Sequence, residues 1–406
     1  VGFLDRLMGK PLDKPTFAGV MVKALAKQGI AVASVDVQEF QLVLGADDFV
    51  NLHNVYGQYV AAGGSDRVRV IENFVATFAQ KETIPASYEA AKKSLMPVIR
   101  GASFNSLTEL HMRFNGKTDL AELSELRTAH RPIAEGVVVG LAFDGARSLT
   151  HINERQMTQW SADFETALSD AVSNLRDRTP ESEIKQEAPG VFAGRWRDSY
   201  ESSRILLPDL VYRMGAGLDP VCFIPARDEF LVASRGDLQA IKILLRASEE
   251  THFGPYGLCP APFVLVDGVW KTFEGDDDES RVMIRNQRLK RLGSDYGQQK
   301  QYLDAIYKRD GVDLFVASCL MNEDKTSGAI STVCAWTNGV KSSFPETEKV
   351  ALLIDVQTKE HIIVTWEALR RVTGETLQEE PGLLPKRYLA LEFPSVEQIE
   401  ELRRDA

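Results

Sequence analysis

The chain has 406 residues, of which 44% are hydrophobic and 26% charged, the balance of a globular protein too long for one ordinary core. Its formal charge of −11 leaves no basic stripe of the kind that nucleic acid or an anionic membrane surface requires, so neither is an expected partner. Four cysteines with no CxxC pair predict reduced thiols. No run approaches the roughly 20 apolar residues of a membrane span, and the short amphipathic start, Val1–Lys10, lacks the apolar core of a signal peptide, so the expectation is a cytoplasmic protein.

Phe17, Val20, Met21, Ala24 and Leu25 recur at helical spacing after Pro15, and Gly29 closes that helix. Ile30–Val37 and Phe40–Leu44 read as a pair of strands, and Phe49–Ala61 and Arg67–Gln80 as helices, together an α+β layer. Met96–Arg100 reads as a buried strand, Leu107–Phe114 as a short helix and Asn115–Glu125 as a polar insertion. Val137–Phe143 is a second buried strand, with Arg147–Thr150 as its hairpin partner across Asp144-Gly145. One helix, capped by Asn153 or Ser161, carries Phe164, Leu168, Ala171, Val172 and Leu175. Arg176–Glu187, which contains Pro180, reads as a charged linker and places a sub-boundary near 180–190. Phe192–Trp196 returns to strand.

The pattern then largely repeats. Ser202–Met214 reads as helix, Val221–Pro225 and Phe230–Ser234 as strands, and Asp237–Glu249 as helix. Phe263–Val266 and Val269–Phe273 form a hairpin turning at Asp267-Gly268. The acidic run Asp276–Glu279, a solvated linker or a helix start, marks the main expected boundary between a region 1–275 and a smaller α+β domain 276–406. Beyond it lie a long polar helix over Ser280–Arg309 and strands at Leu314–Met321, Ala329–Thr337, Val350–Val356 and Ile362–Trp366. A helix over Glu367–Thr373, a strand over Tyr388–Phe393 and a terminal helix follow, the last opened by a capping box at Ser395-Val396-Glu397-Gln398. The expected class is α+β throughout.

Pro97-Val98-Ile99-Arg100 with the small turn at Ser103-Phe104, then Thr128-Ala129-His130-Arg131-Pro132 leading into the Glu135–Asp144 strand, form an ordered series. It continues through Tyr200-Glu201-Ser202-Ser203-Arg204-Ile205-Leu206 and Arg227-Asp228-Glu229-Phe230-Leu231-Val232-Ala233. From about Thr16 to Glu274 this series resembles a bacterial family of unknown function, the YtpQ-like proteins. The resemblance implies a fold lineage and brings no activity with it. The stretch around His130 departs from the family's more compact His-Thr-Ala-Glu-Thr-Arg-like run, and the C-terminal third lies outside the resemblance.

Arg100 ends an apolar run, where its planar guanidinium suits a carboxylate or phosphate, or an internal ion pair with Glu135, Glu201 or Asp228. His130, in the loop feeding a central strand and close to Glu135, is the histidine best placed for acid–base work. There is no HExxH, paired CxxC or calcium loop, no GxSxG turn and no phosphate loop. Gly215-Ala216-Gly217 ends a helix instead of opening one, so no metal or cofactor is expected. The basic cluster Arg281–Arg291 is flanked by acids and reads as a salt-bridged helix whose Tyr296, Tyr302, Ile306 and Tyr307 face the C-terminal core.

The leading expectation is a non-catalytic binding or scaffolding protein. Its groove lies between strand ends bearing Arg100, Arg204 and Arg227, and it takes a protein partner or an anionic small molecule. The rival is an enzyme on an anionic small molecule, with Arg100 and Arg204 holding the anion and His130 with Glu135 moving protons.

Overall fold

The computed structural model describes residues 10–37, 40–44, 49–64, 66–79, 84–145, 149–252, 257–259 and 261–405. Most of the segment Val1–Lys10, together with Gln80 and the start of the Arg147–Thr150 strand, lies outside the described residues. The class is α+β, with mixed and antiparallel sheets among packed helices.

The first elements share a core of their own. Helix α1 (Lys14–Ala26) starts where Asp13 accepts a hydrogen bond from the Thr16 amide at 2.8 Å. A three-stranded antiparallel sheet follows: β1 (Ser34–Asp36), β2 (Gln41–Val43) and β3 (Phe49–Asn51). Helices α2 (His53–Ala61) and α3 (Asp66–Ala79) pack Val55, Tyr59, Ile71 and Val75 against Phe17, Met21 and Leu42. Strand β3 occupies the start of the expected helix Phe49–Ala61. Its ladder to β2 satisfies backbone groups that a first helical turn leaves open, and the helix begins only at His53.

The site-bearing region follows a short helix α4 (Tyr88–Ala91). Strand β4 (Leu95–Gly101) pairs antiparallel with β6 (Val137–Asp144), from Leu95↔Phe143 to Gly101↔Val137. Strands β5 (His130–Ala134) and β7 (Leu149–His151) follow one another along the other edge of β6, with Ala142 opposite His151. All of β4 is buried, because α8 (Phe164–Asp177) lies over it with Ala167, Leu168, Ala171 and Leu175 inward. Asn174 on α8 clamps the start of β4 by donating 2.8 Å hydrogen bonds to the Lys92 and Leu95 carbonyls. Gly140 is required where β6 runs beside Thr128 and Ala129, since a Cβ there would sit 3.1 Å from both the Ala129 carbonyl oxygen and the Thr128 methyl.

Four expectations here need correction. Asn115–Glu125 is not a plain insertion, because Asp119 caps a helix α6 (Leu120–Leu126) through the amides of Ala121 and Glu122. His130 sits in strand β5 and not in a loop feeding a strand. The single helix after Asn153 is two. Asn153 caps α7 (Glu154–Trp160), Ser161 ends it in a left-handed conformation and Asp163 caps α8. The charged linker Arg176–Glu187 is structured, since β8 (Ile184–Ala188) pairs with β9 (Val191–Gly194).

These strands belong to an antiparallel six-stranded sheet that also contains β10 (Pro220–Phe223), β11 (Leu231–Ser234), β12 (Phe263–Val266) and β13 (Val269–Thr272). Its order is β13-β12-β10-β11-β9-β8. Helix α10 (Leu238–His252) covers one face. The expected helix Ser202–Met214 is a 3-10 turn, Ser202–Leu206, followed by α9 (Pro208–Arg213); Pro208 lacks the amide that would continue the first into the second. The hairpin at Asp267-Gly268 forms as read, with both residues at positive φ, 51° and 77°.

The acidic run opens α11 (Asp278–Asp310), a helix of 33 residues whose N-cap Asp277 accepts from the Ser280 amide at 3.1 Å. It packs on α5 (Phe104–Phe114), on α10 and on the C-terminal strands. Tyr302, Leu303 and Ile306 share a cluster with Leu110 on α5 as well as with Val316 and Leu383, so this face of α11 joins two parts of the chain.

The remaining strands form two four-stranded sheets. One contains β14 (Phe315–Val316), β17 (Ser342–Pro345), β20 (Leu377–Glu379) and β21 (Arg387–Ala390). The other contains β15 (Leu320–Glu323), β16 (Ile330–Thr337), β18 (Lys349–Asp355) and β19 (Glu360–Thr365). The expected single strand Leu314–Met321 is therefore divided between two sheets. Helices α12 (Trp366–Thr373) and α13 (Val396–Asp405) complete a core around Trp336, Phe344, Leu369 and Leu402. The capping box forms, with Ser395 Oγ accepting from the Gln398 amide and Gln398 Oε1 from the Ser395 amide. Among the described residues no helix is long and apolar enough to cross a membrane.

Candidate functional site

Arg100 is the sixth residue of β4 and only 8% exposed. Its Nη1 donates to the Ile99 carbonyl at 2.7 Å, and its Nη2 lies 2.8 Å from Nε2 of His151 at the end of β7. A guanidinium only donates, so the imidazole nitrogen accepts and His151 carries its proton on Nδ1, as a neutral ring. Burial, with Arg100 and Arg227 nearby, pushes the His151 pKa down to about 3. Burial, and then the charge of Arg227, push the Arg100 pKa down to about 9. Among the described residues no carboxylate lies within ion-pair distance of Arg100.

None of the three carboxylates expected to pair with Arg100 does so. Glu135 pairs with Arg288 and accepts from Thr272. Glu201 is 2% exposed and takes the Asp198 amide on one oxygen; the other has no partner, and burial raises its carboxyl above the ordinary value. Asp228 lines the same cavity as Arg100 without pairing to it.

That cavity, of about 590 Å³, brings together Arg100, His151, Arg227 and Asp228 with Ser199, Ser202 and Ser203. Val98, Ile99 and Leu149 supply an apolar wall, and Gln58 of α2 reaches it from the N-terminal part. The serines arrive on one segment. The Ser202 amide donates to the Arg227 carbonyl at 3.1 Å, which docks the 3-10 turn against the loop between β10 and β11. Ahead of it Arg197 and Ser199 both adopt left-handed backbone, φ 56° and 69°, a conformation that non-glycine residues rarely hold without support.

Arg204 provides that support and stands apart from the cavity. It is fully buried, with Asp198 gripped in a two-pronged pair at 2.7 and 2.9 Å. It also donates to Thr179 Oγ1 and the Arg178 carbonyl, and its guanidinium lies 4.0 Å from the Trp196 ring centroid. The expected trio of arginines is thus a convergent pair, Arg100 and Arg227, plus one arginine that holds the serine segment in place. Asp198 precedes Arg204 by six residues, and that spacing was the available signal.

His130 and Glu135 are not brought together. They stand at opposite ends of β5, about 15 Å apart along an extended strand. His130 is exposed, and its Nδ1 meets Asn105 Nδ2 at 2.8 Å and the Thr128 carbonyl at 2.9 Å. Sequence reasoning missed His151 and the three serines. His151 is marked only by ending a hairpin strand opposite the Arg100-bearing sheet edge, and the serines carry no motif.

A larger cleft, about 910 Å³, runs along α11 past Arg281, Arg285, Arg288 and Arg291. Its charges are matched: Arg285 with Glu348, Arg288 with Glu135 and Glu274, Arg291 with Asp295. This is the salt-bridged helix that the charge pattern predicts. Among the described residues no group of three His, Cys, Asp or Glu side chains is placed to hold a metal ion. Comparison with known proteins finds no matching family model, no matching curated protein and no matching solved structure.

Proposed function

We propose that this chain is a non-catalytic binding protein, and that its ligand is an anionic small molecule held between Arg100 and Arg227. One observation carries the reading: Arg100 is a buried guanidinium that spends its contacts on a neutral imidazole and a carbonyl, with no carboxylate beside it. An uncompensated buried charge is costly, and a site that keeps one is suited to a ligand that arrives with the opposite sign. A cavity of about 590 Å³ falls in the range that encloses a small molecule.

The same surroundings argue against acid–base chemistry here. A histidine whose pKa lies near 3 is a weak proton acceptor at neutral pH, and among the described residues no thiol lines the cavity.

The test is a thermal-shift screen of the full chain against a panel of anionic metabolites at constant ionic strength, repeated with Arg100→Gln and Arg227→Gln. At least one anion should stabilise the wild-type protein saturably and bind each variant at least tenfold more weakly. Equal binding by wild type and both variants, with all three folded, would refute the placement.

A further inference from the structure

We infer that the anion is a phosphate monoester with a hydroxylated organic part, an inference that rests on the binding reading above and narrows it. Arg100 carries five N–H groups and uses two, on Ile99 and His151, so three remain for a ligand. Ser199, Ser202 and Ser203 line the same cavity, and among the described residues their hydroxyls make no hydrogen bond. Ser202 and Ser203 are otherwise enclosed, 2% exposed, and line the cavity. These six donors stand without counting Arg227.

A carboxylate has two oxygens and roughly four lone-pair sites. It would leave part of this set unanswered. A phosphate monoester presents three strong acceptor oxygens, which meets the number of donors, and brings negative charge to the Arg100 guanidinium. The donors also come from separate directions, from β4 and from the 199–203 segment, as a tetrahedral group requires and a planar one does not. Asp228 is the only carboxylate among the described residues that line the cavity. As an acceptor it fits a ligand hydroxyl, and the volume beyond one phosphate leaves room for the organic part against Val98, Ile99 and Leu149.

The experiment is calorimetric titration of the full chain with a hexose phosphate, with the matching sugar acid as the carboxylate probe and with inorganic phosphate. A Ser202→Ala/Ser203→Ala double variant, first checked for an unchanged melting profile, is titrated alongside, with Ser199→Ala as the fallback should it not fold. The hexose phosphate should bind at least tenfold more tightly than the sugar acid. The serine variant should lose at least tenfold toward both phosphate probes and less than threefold toward the sugar acid. Equal or tighter binding of the sugar acid overturns the phosphate inference and leaves the anion cavity standing. No binding of any probe, together with an empty metabolite screen, overturns both.

Discussion

Replacing Arg100 by methionine should make the ligand-free protein more stable while abolishing anion binding. The guanidinium's pKa falls from the ordinary arginine value to about 9. That fall is worth roughly 5 kcal/mol against the charged form, at about 1.36 kcal/mol for each tenfold change. Methionine fills much of the same volume without the charge, and loses two hydrogen bonds made by a charged donor, about 3 kcal/mol together. The difference leaves a gain of about 2 kcal/mol, or about 2 °C in melting temperature for a chain this long. The sign of the pH dependence follows from the direction of the shift. A base whose folded pKa is lowered binds fewer protons folded than unfolded between the two values, so its penalty is full below about pH 9 and is relieved as pH rises above that toward the ordinary arginine value. The advantage of Arg100→Met should therefore be present at pH 7 and smaller at pH 10. Scanning calorimetry of both proteins at the two pH values, in buffer free of multivalent anions, provides the measurement. A fall in melting temperature of 3 °C or more at pH 7 would show that Arg100 is a net structural stabiliser, and the argument from uncompensated charge would fail.

Arg204→Ala should behave in the opposite way, costing about 3–5 kcal/mol, because it leaves Asp198 without its buried partner and frees the serine segment; a urea midpoint unchanged from wild type would contradict this. Gly194→Ala should cost about 2 kcal/mol, since the new Cβ would lie 1.7 Å from the Trp196 ring that stacks on Arg204. Gly101→Ala comes within 2.7 Å only of the side-chain end of Arg291, with the Leu258 carbonyl at an ordinary 3.9 Å, and should cost clearly less in the same urea titrations. His151 is a base whose folded pKa, about 3, lies below its unfolded value near 6.5. Its contribution to stability is present above pH 6.5 and lost as pH falls, by about 2 kcal/mol at pH 5. His151→Gln should flatten the slope of stability between pH 7 and 5, and an unchanged slope would mean that the ring titrates normally.

Much of the local structure was legible in the sequence because its causes are local. The Asp267-Gly268 turn needs two residues tolerant of positive φ, and that dipeptide supplies them. The capping box at Ser395 and the long helix after Asp277 follow from groups within four residues of one another. Strands β4 and β6 announce themselves as apolar, β-branched runs, and their burial follows from that composition. The errors fall where a ladder partner lies outside the window. Strand β17, Ser342-Ser343-Phe344-Pro345, has no alternation and contains a proline, yet it is buried between β14 and β21. Residues 315–323 look like one strand and serve two sheets.

The candidate site divides in the same way. Sequence alone determined that Arg100 would sit where a charge is expensive, since the apolar residues around it have to be buried wherever the strand goes. Only the tertiary structure decided what answers that charge. Arg100 and Arg204 both adjoin apolar runs, but Arg204 meets an aspartate from its own segment, whereas Arg100 meets a neutral histidine 51 residues away and a second arginine from another sheet. Burial is set by the composition of a few neighbouring residues. Charge balance depends on which distant groups the topology brings within a few ångströms, and no short stretch of chain contains that information.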